Sequence, residues 1–228
     1  MSTLFAEMDE SGSWRLMVEA AKKGAVKTGF ELERVPGRGL SNVWTVKKDG
    51  RDQRAAIRTT RDRWFAFQPL RGGSAWKTLD DVDIVIVASV DSREAPMNVE
   101  VYIFPAEEVR AKFKAARNGR IGAGKTVRDG YGMWINLDLD QRATASSIGS
   151  GLAAEHKPVA VFAIEDLLKS SEGEWSEPVD CNQADVSEAS DQPAVNTIAE
   201  VLAWARQRVA ELSGMKVESV KLDLRFEV

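Results

Sequence analysis

Apolar positions change their spacing along the chain, and each spacing predicts a different element. Near the start, apolar side chains recur every three or four positions, which is the spacing of one face of a helix. The predicted helix has Ser13 as its N-cap, runs to about Thr28 and ends at Gly29. Its predicted buried side chains are Trp14, Met17, Val18, Ala21 and Ala25.

Alternating and β-branched runs then predict strands. Four such runs and the turn signal Asp49-Gly50 predict an antiparallel meander. The runs span residues 30–35, 43–47, 55–60 and 64–68. Residues 82–90 (VDIVIVASV) are almost continuously apolar, which indicates a strand covered on both faces. A helix is predicted after Pro105, and its buried side carries Val109, Phe113 and Ala116. Further predicted elements are strands over 99–104, 133–139 and 159–162 and a short helix up to Leu168.

The last quarter of the chain differs from the rest in composition. Residues 170–192 are rich in Ser, Glu and Asp, which predicts an acidic flexible linker. Residues 193–228 combine a capping box at Thr197 and Glu200 with a helix and an alternating strand. The predicted organisation is an α/β core over 1–169, the linker over 170–192, and a helix–strand appendage over 193–228. A lone helix–strand unit cannot bury itself, so it docks on the core or on a second copy.

Composition limits the location and the partners. The 228 residues contain one cysteine, Cys181, and neither a long apolar span nor a secretory signal, so we predict a cytoplasmic protein without a membrane partner. The net charge of −4 divides unequally, with +4 over residues 1–164 and −8 over residues 165–228. A mildly basic body is compatible with DNA or RNA as a partner.

Three motifs are candidates for a binding or catalytic site. Residues 119–126 (GRIGAGKT) match the phosphate-loop pattern, which needs a strand before it and a helix after it. Here a helix is predicted before it and a turn after it, which favours a basic surface loop and leaves phosphate binding open. His156 and Cys181 lie in unrelated segments, which argues against a nucleophilic or zinc site. Asp80, Asp81 and Asp83 indicate either a polar strand entry or a cation site.

Two basic sets are candidates for phosphate contacts, and the first is interleaved with Trp64 and Phe65, which suits base stacking. The alternative for both sets is a solvated charged face. The first set is Arg51, Arg54, Arg58, Arg61, Arg63 and Arg71, and the second is Arg110, Lys112, Lys114, Arg117, Arg120, Lys125 and Arg128. From these sets, the predicted nucleic-acid contacts are Arg58, Arg61, Arg63, Lys125 and Arg128.

The order of a helix, a meander, an apolar strand and an amphipathic helix over about residues 10–117 resembles the PD-(D/E)XK, or restriction-endonuclease-like, superfamily. Residues 55–60 (AAIRTT) and 61–67 (RDRWFAF) look like the strand that carries the catalytic acid-x-lysine and its neighbour. Residues 82–87 and 101–109 look like the next strands and helix. The resemblance implies an α/β fold with a mixed central sheet flanked by helices, and a site where two acids hold Mg²⁺ and a lysine assists the attacking water.

The matching positions hold Asn42, Ala56 and Arg58, and only Glu19 fits the site that the resemblance implies. Alanine cannot bind a metal, and arginine stays protonated. The first hypothesis is therefore a non-catalytic nuclease-like domain without a cofactor, which binds nucleic acid or a protein partner. One alternative is a metal-dependent phosphodiesterase with a migrated site, where Mg²⁺ would be held by acids among Glu19, Glu31, Glu33, Asp49 and Asp52. Another is an assembly protein that forms a homo-oligomer through residues 193–228.

Overall fold

A computed structural model of the chain describes residues 5, 8–35, 43–139, 144, 147–171, 206 and 217. The chain divides into two units, Met1–Val186 and Ser187–Val228. Apart from residues 170, 171, 206 and 217, the predicted linker over 170–192 and the predicted appendage over 193–228 lie outside the described residues. Both therefore stay predictions. Among the described residues, no helix is long and apolar enough to cross a membrane.

The first unit is mixed α/β. Its helices in the described ranges are α1 (Glu10–Lys27), α2 (Ala106–Gly122), α3 (Leu152–Glu155) and α4 (Ile164–Ser171). Its strands there are β1 (Glu31–Arg34), β2 (Val43–Lys48), β3 (Arg51–Thr60), β4 (Trp64–Phe67), β5 (Pro69–Leu70), β6 (Ala75–Trp76), β7 (Ile84–Val90), β8 (Asn98–Pro105), β9 (Met133–Asn136) and β10 (Ala160–Ala163). Short 3₁₀ turns span Arg71–Gly73 and Leu79–Asp81.

The central sheet has six strands in the order β1-β2-β3-β7-β8-β10. Strands β3 and β7 are parallel, with Ile57 opposite Ile86, and the other neighbours are antiparallel. The sheet is thus mixed, and helices pack on both of its faces, which confirms the predicted α/β class and the three-strand meander at its start. The turn at Asp49-Gly50 joins β2 to β3 as predicted.

Strand β7 lies at the centre of the core, and all seven of its residues are buried. Alternation along the strand sends Ile84, Ile86 and Ala88 into the core under α1. Val85 and Val87 belong to the second core, which packs under α2. The apolar run over 82–90 therefore reflects a strand covered on both faces, as predicted.

The predicted start of α1 is wrong by four residues. Asp9 is the N-cap, and its Oδ1 accepts a hydrogen bond from the Gly12 N–H at 2.9 Å, while Ser13 is buried inside the helix. The hydrogen bond from the Gly12 N–H, followed by that from Ser11, lowers the pKa of Asp9. A carboxylate is well suited to this place because it satisfies a free N–H and faces the positive end of the helix dipole.

The prediction of a fourth meander strand is also wrong. Strand β4 pairs antiparallel with β9 as a separate two-stranded sheet, with Ala66 opposite Trp134. The place beside β3 in the central sheet is taken by the parallel strand β7. The chain leaves β3 through Arg63, whose φ of +64° turns it away from the sheet.

Candidate nucleic-acid interface

Helix α2 packs one side on the sheet and leaves a basic side outside. It starts after Pro105, and its first turn carries Glu107 and Glu108, which face the positive end of the helix dipole. Val109, Phe113 and Ala116 are buried, as the sequence pattern predicts. The residues 109–128 include seven basic and no acidic side chains. Six of them, here called the α2 basic surface, are Arg110, Lys114, Arg117, Arg120, Lys125 and Arg128.

A cleft of about 420 Å³ opens along this surface, between α2 and the segment 73–80. Arg110, Lys114 and Arg117 line it from one side because their spacings of four and three residues place them on one helical face. Asp80 is the acidic residue in its wall, and its Oδ2 accepts a hydrogen bond from the Trp76 N–H at 2.6 Å. The remaining lining residues are Gly73, Ser74, Trp76 and Ala111.

The side chains of Arg110 and Arg117 are held in place by backbone carbonyls. Arg110 Nη1 donates to the carbonyl oxygens of Leu79 at 2.8 Å and Val82 at 3.3 Å. Arg117 Nε donates to the Gly72 carbonyl at 2.9 Å. Neutral carbonyls leave the positive charge of both guanidinium groups uncompensated. Lys114 is exposed and forms no ion pair with any residue in the described ranges.

The turn Arg71–Gly73 connects the cleft with the loop that follows α2. All three residues have positive φ, and a Cβ on Gly73 would lie 2.6 Å from Arg117 Nε, so only glycine fits there. The Gly72 N–H donates to Asp129 Oδ1 at 2.7 Å. This bond fixes the loop beside the turn.

Lys125 and Arg128 are exposed on that loop. The loop is anchored by bonds from the Lys125 N–H to the Arg120 carbonyl at 2.9 Å and from the Gly130 N–H to the Pro69 carbonyl at 3.3 Å. Residues 119–122 of the phosphate-loop pattern form the last turn of α2. The pattern therefore lies at the carboxyl end of a helix and not between a strand and a helix N-terminus, so it lacks the N-terminal N–H groups with which a phosphate loop holds phosphates.

Arg58 and Arg61 lie in β3 and just after it. Arg58 lies on β3, its guanidinium carbon is 4.4 Å from the centroid of the Phe67 ring, and its Nε donates to the Ala66 carbonyl at 3.4 Å. Arg61 is exposed and lies over the ring of Phe5, at 5.1 Å. Both arginines thus stack on aromatic rings, and Phe67 belongs to the α2 core whereas Phe5 belongs to the α1 core.

Arg63 is the centre of a polar network at the end of the sheet. Its Nε and Nη2 donate to the two carboxylate oxygens of Asp138 at 2.6 and 2.9 Å. Its Nη1 donates to Glu100 Oε2 at 2.8 Å and to the Val90 carbonyl at 3.0 Å, and Nη2 reaches the Tyr102 hydroxyl at 3.2 Å. Arg63 is thus engaged by internal acceptors, so we do not include it in the interface proposed below.

The same network affects the protonation of Tyr102. Burial of the ring, followed by the hydrogen bond of its hydroxyl to Glu100 Oε2 at 2.7 Å, raises the pKa of Tyr102 to about 12. The nearby Arg63 opposes this shift, and the hydrogen bonds to Asp138, Tyr102 and Glu100 outweigh desolvation and raise the pKa of Arg63. The tyrosine is therefore neutral and donates to Glu100 over the whole physiological range.

The stability change caused by replacing Tyr102 with phenylalanine should depend on pH. Because the folded pKa of about 12 lies above the ordinary value of 10.0, the hydroxyl stabilises the fold fully below pH 10.0 and loses this contribution as the pH rises through about 12. Y102F should lower the free energy of unfolding by about 1 kcal/mol at neutral pH. Urea unfolding of both proteins at several pH values should show this difference narrowing above pH 10.0. A difference that stays constant with pH would contradict the assignment.

The acidic residues considered for metal binding are not clustered. Among the described residues, no three His, Cys, Asp or Glu side chains come together in a way that could hold a metal ion. Glu19 pairs with Lys22 at 2.6 Å, and Asp83 Oδ2 accepts from the Arg54 N–H at 2.8 Å. His156 Nε2 lies 2.6 Å from Glu108 Oε2, which ties the end of α3 to α2. Asn42 and Cys181 lie outside the described residues.

No family model matches the chain, and neither a curated protein nor a solved structure matches it.

The contact residues chosen from the sequence omitted most of the cleft. Arg110, Lys114, Arg117 and Arg120 belong to the second basic set but are not among the predicted contacts. Their helical spacing could have indicated a shared face with the loop of Lys125. The turn Arg71–Gly73 could not be assigned from sequence because its contacts with Arg117 and Asp129 join segments separated by 45 and 57 residues.

Proposed function

We propose that this chain binds nucleic acid through the α2 basic surface without cutting it. The observation that carries the proposal is the basic cleft of about 420 Å³, in which Arg110, Lys114 and Arg117 face a single acid, Asp80. Phosphate oxygens bind arginine and lysine side chains through charge-assisted hydrogen bonds. Lys125 and Arg128 extend the same charge along the loop beyond the helix.

Two acids, Asp80 and Asp129, lie beside the α2 basic surface, and each is held by a backbone N–H. Asp80 accepts from the Trp76 N–H, and Asp129 accepts from the Gly72 N–H. These bonds hold both carboxylates in fixed positions within the wall and loop. The six basic side chains of the α2 basic surface outnumber these two acids, so the surface keeps a positive potential that attracts a polyanion and weakens with salt.

We also propose that the core is related to the restriction-endonuclease-like fold with a degenerate site. The order of α1, the meander, β7, β8 and α2 supports this relationship. Ala56 is fully buried in β3, and Arg58 stacks on Phe67, so neither occupies its position as a metal ligand or a base. For this reason we favour binding over cleavage, and we expect no Mg²⁺ requirement.

Fluorescence anisotropy of labelled single- and double-stranded DNA and RNA tests the proposal. Binding that weakens steeply between about 50 and about 200 mM salt, with intact probe recovered in the presence of Mg²⁺, is the expected result. Cleavage that stops with a chelator would show that a migrated metal site exists and that the protein is an enzyme. Absence of binding to all four probes at high protein concentration would reject the proposal.

A charge-removal variant connects binding to the α2 basic surface. K114A/K125A/R128A removes three exposed charges and should weaken binding to every probe about tenfold or more at moderate salt. The matched control K47A/R51A/R93A removes three equally exposed charges from β2, β3 and the loop before β8. We expect the control to bind almost as tightly as the wild type, since those residues lie outside the proposed interface.

A further inference from the structure

The sheet of β4 and β9 has one buried and one outward face. Alternation along the two strands puts Phe65, Phe67, Met133 and Ile135 into the core under α2. Trp64, Ala66, Trp134 and Asn136 therefore belong to the other face. On that face Trp64 and Trp134 are diagonal neighbours across the pair, which large side chains can span. Tyr131 comes just before β9, and the residue is 64% exposed.

Trp134 and the preceding Tyr131 are the exposed aromatic residues beside this face, here called the platform. A Cβ placed on Gly132 would lie 3.2 Å from Trp134 Nε1, and it would lie 3.6 Å from the Ala66 Cβ. The edge of the indole thus lies beside Gly132, and 48% of the residue remains exposed. Of the tryptophans in the described ranges, Trp134 is the most exposed, while Trp14 and Trp76 are buried. Two large aromatic residues that are exposed three positions apart offer π-faces to a ligand.

Basic residues border the platform. Arg120 Nη2 donates to the Trp134 carbonyl at 3.3 Å, which brings the α2 basic surface to the edge of β9. Lys125 and Arg128 stand on the loop that leads to Tyr131. Asp138, the acid just beyond β9, is bound by both Arg63 Nε and Nη2. The platform is therefore aromatic at its centre and positively charged at its border.

We infer that this face takes the bases of single-stranded nucleic acid, stacked on Trp134 with Tyr131 beside it, while the α2 basic surface holds the phosphates. This inference rests on the proposed function and adds the strandedness of the ligand. Aromatic platforms beside basic grooves suit single strands because an unpaired base offers its π-face, whereas bases inside a duplex are already stacked. The positive border favours this occupant over an apolar segment of a protein.

An abasic oligonucleotide separates stacking from phosphate contact on the unmodified protein. A single-stranded probe of about 20 nucleotides should bind the wild type about tenfold more tightly than an abasic chain of the same length. W134A should lose about tenfold in affinity for the normal single strand and change little toward the duplex. W134F keeps an aromatic face and should recover most of the affinity, and V161A, at another exposed apolar site, should bind as the wild type does.

The outcomes distinguish this inference from the proposed function. Equal binding of normal and abasic strands, with W134A unchanged and K114A/K125A/R128A weakened, would reject stacking while phosphate binding stands. Equal weakening of single-strand and duplex binding by W134A would assign Trp134 a structural role and reject stacking too. If the wild type binds no probe, both the inference and the proposed function fail. Circular dichroism of W134A checks that the fold is intact.

Discussion

Phe113→Ala should lower the free energy of unfolding by about 4 kcal/mol, the largest loss that we expect from one substitution in this chain. Phe113 is fully buried, and it makes edge-to-face contacts with Phe65, Phe67 and Trp76 at centroid distances of 5.7, 5.4 and 5.2 Å. Truncation removes the side chain on which these three rings converge and leaves a cavity between α2 and the sheet.

Urea unfolding measures this loss, and two variants calibrate it. Phe113→Leu keeps most of the volume and should lose about 1.5 kcal/mol. Ile121→Ala, on the same helix but 46% exposed, should change stability by less than about 0.5 kcal/mol. A loss for F113A as small as that for I121A would mean that α2 is not anchored through Phe113, and the cleft walls would then be wrongly placed.

Arg63→Met should have the second largest effect, a loss of about 3 kcal/mol. The substitution leaves Glu100 and Asp138 without their shared cation, and the Val90 carbonyl keeps only the Ser89 hydroxyl of its two side-chain donors. The carboxylate side chains are 24% and 47% exposed, so water offsets part of the cost, and we expect the lower end of the range for a buried ion pair.

Conservative and compensating changes test the origin of this loss. Arg63→Lys keeps the charge but cannot make the paired bonds to Asp138. Its free energy of unfolding should therefore lie between those of the wild type and R63M. Adding Asp138→Asn to R63M should restore part of the stability because one unpaired carboxylate disappears. If R63M unfolds at the same urea concentration as the wild type, the network does not stabilise the fold.

Local patterns in the sequence predicted much of this fold. The continuous apolar run gave a strand buried on both faces, and Val109, Phe113 and Ala116 marked the buried side of α2 correctly. The cap of α1 was misassigned because Asp9 and Ser13 are both good N-cap residues, and only the observed bond to Gly12 separates them.

Long-range partners explain the remaining differences. The alternation of Trp64 to Phe67 indicates a strand but does not show which strand pairs with it. The paired strand, β9, lies about 70 residues later. Arg63 looked like a surface arginine because its acceptors Glu100 and Asp138 follow 37 and 75 residues later. The alternating pattern of the strand could have predicted that Trp134 points outward, since it lies between the inward positions Met133 and Ile135.

The salt dependence of nucleic-acid binding by K114A/K125A/R128A tests the central claim most directly. The slope of the logarithm of affinity against the logarithm of salt concentration should be shallower than that of the wild type by about 2. The control K47A/R51A/R93A should keep the wild-type slope, although it carries the same net charge as the test variant. Equal slopes for the two variants would mean that the α2 basic surface is not the binding site.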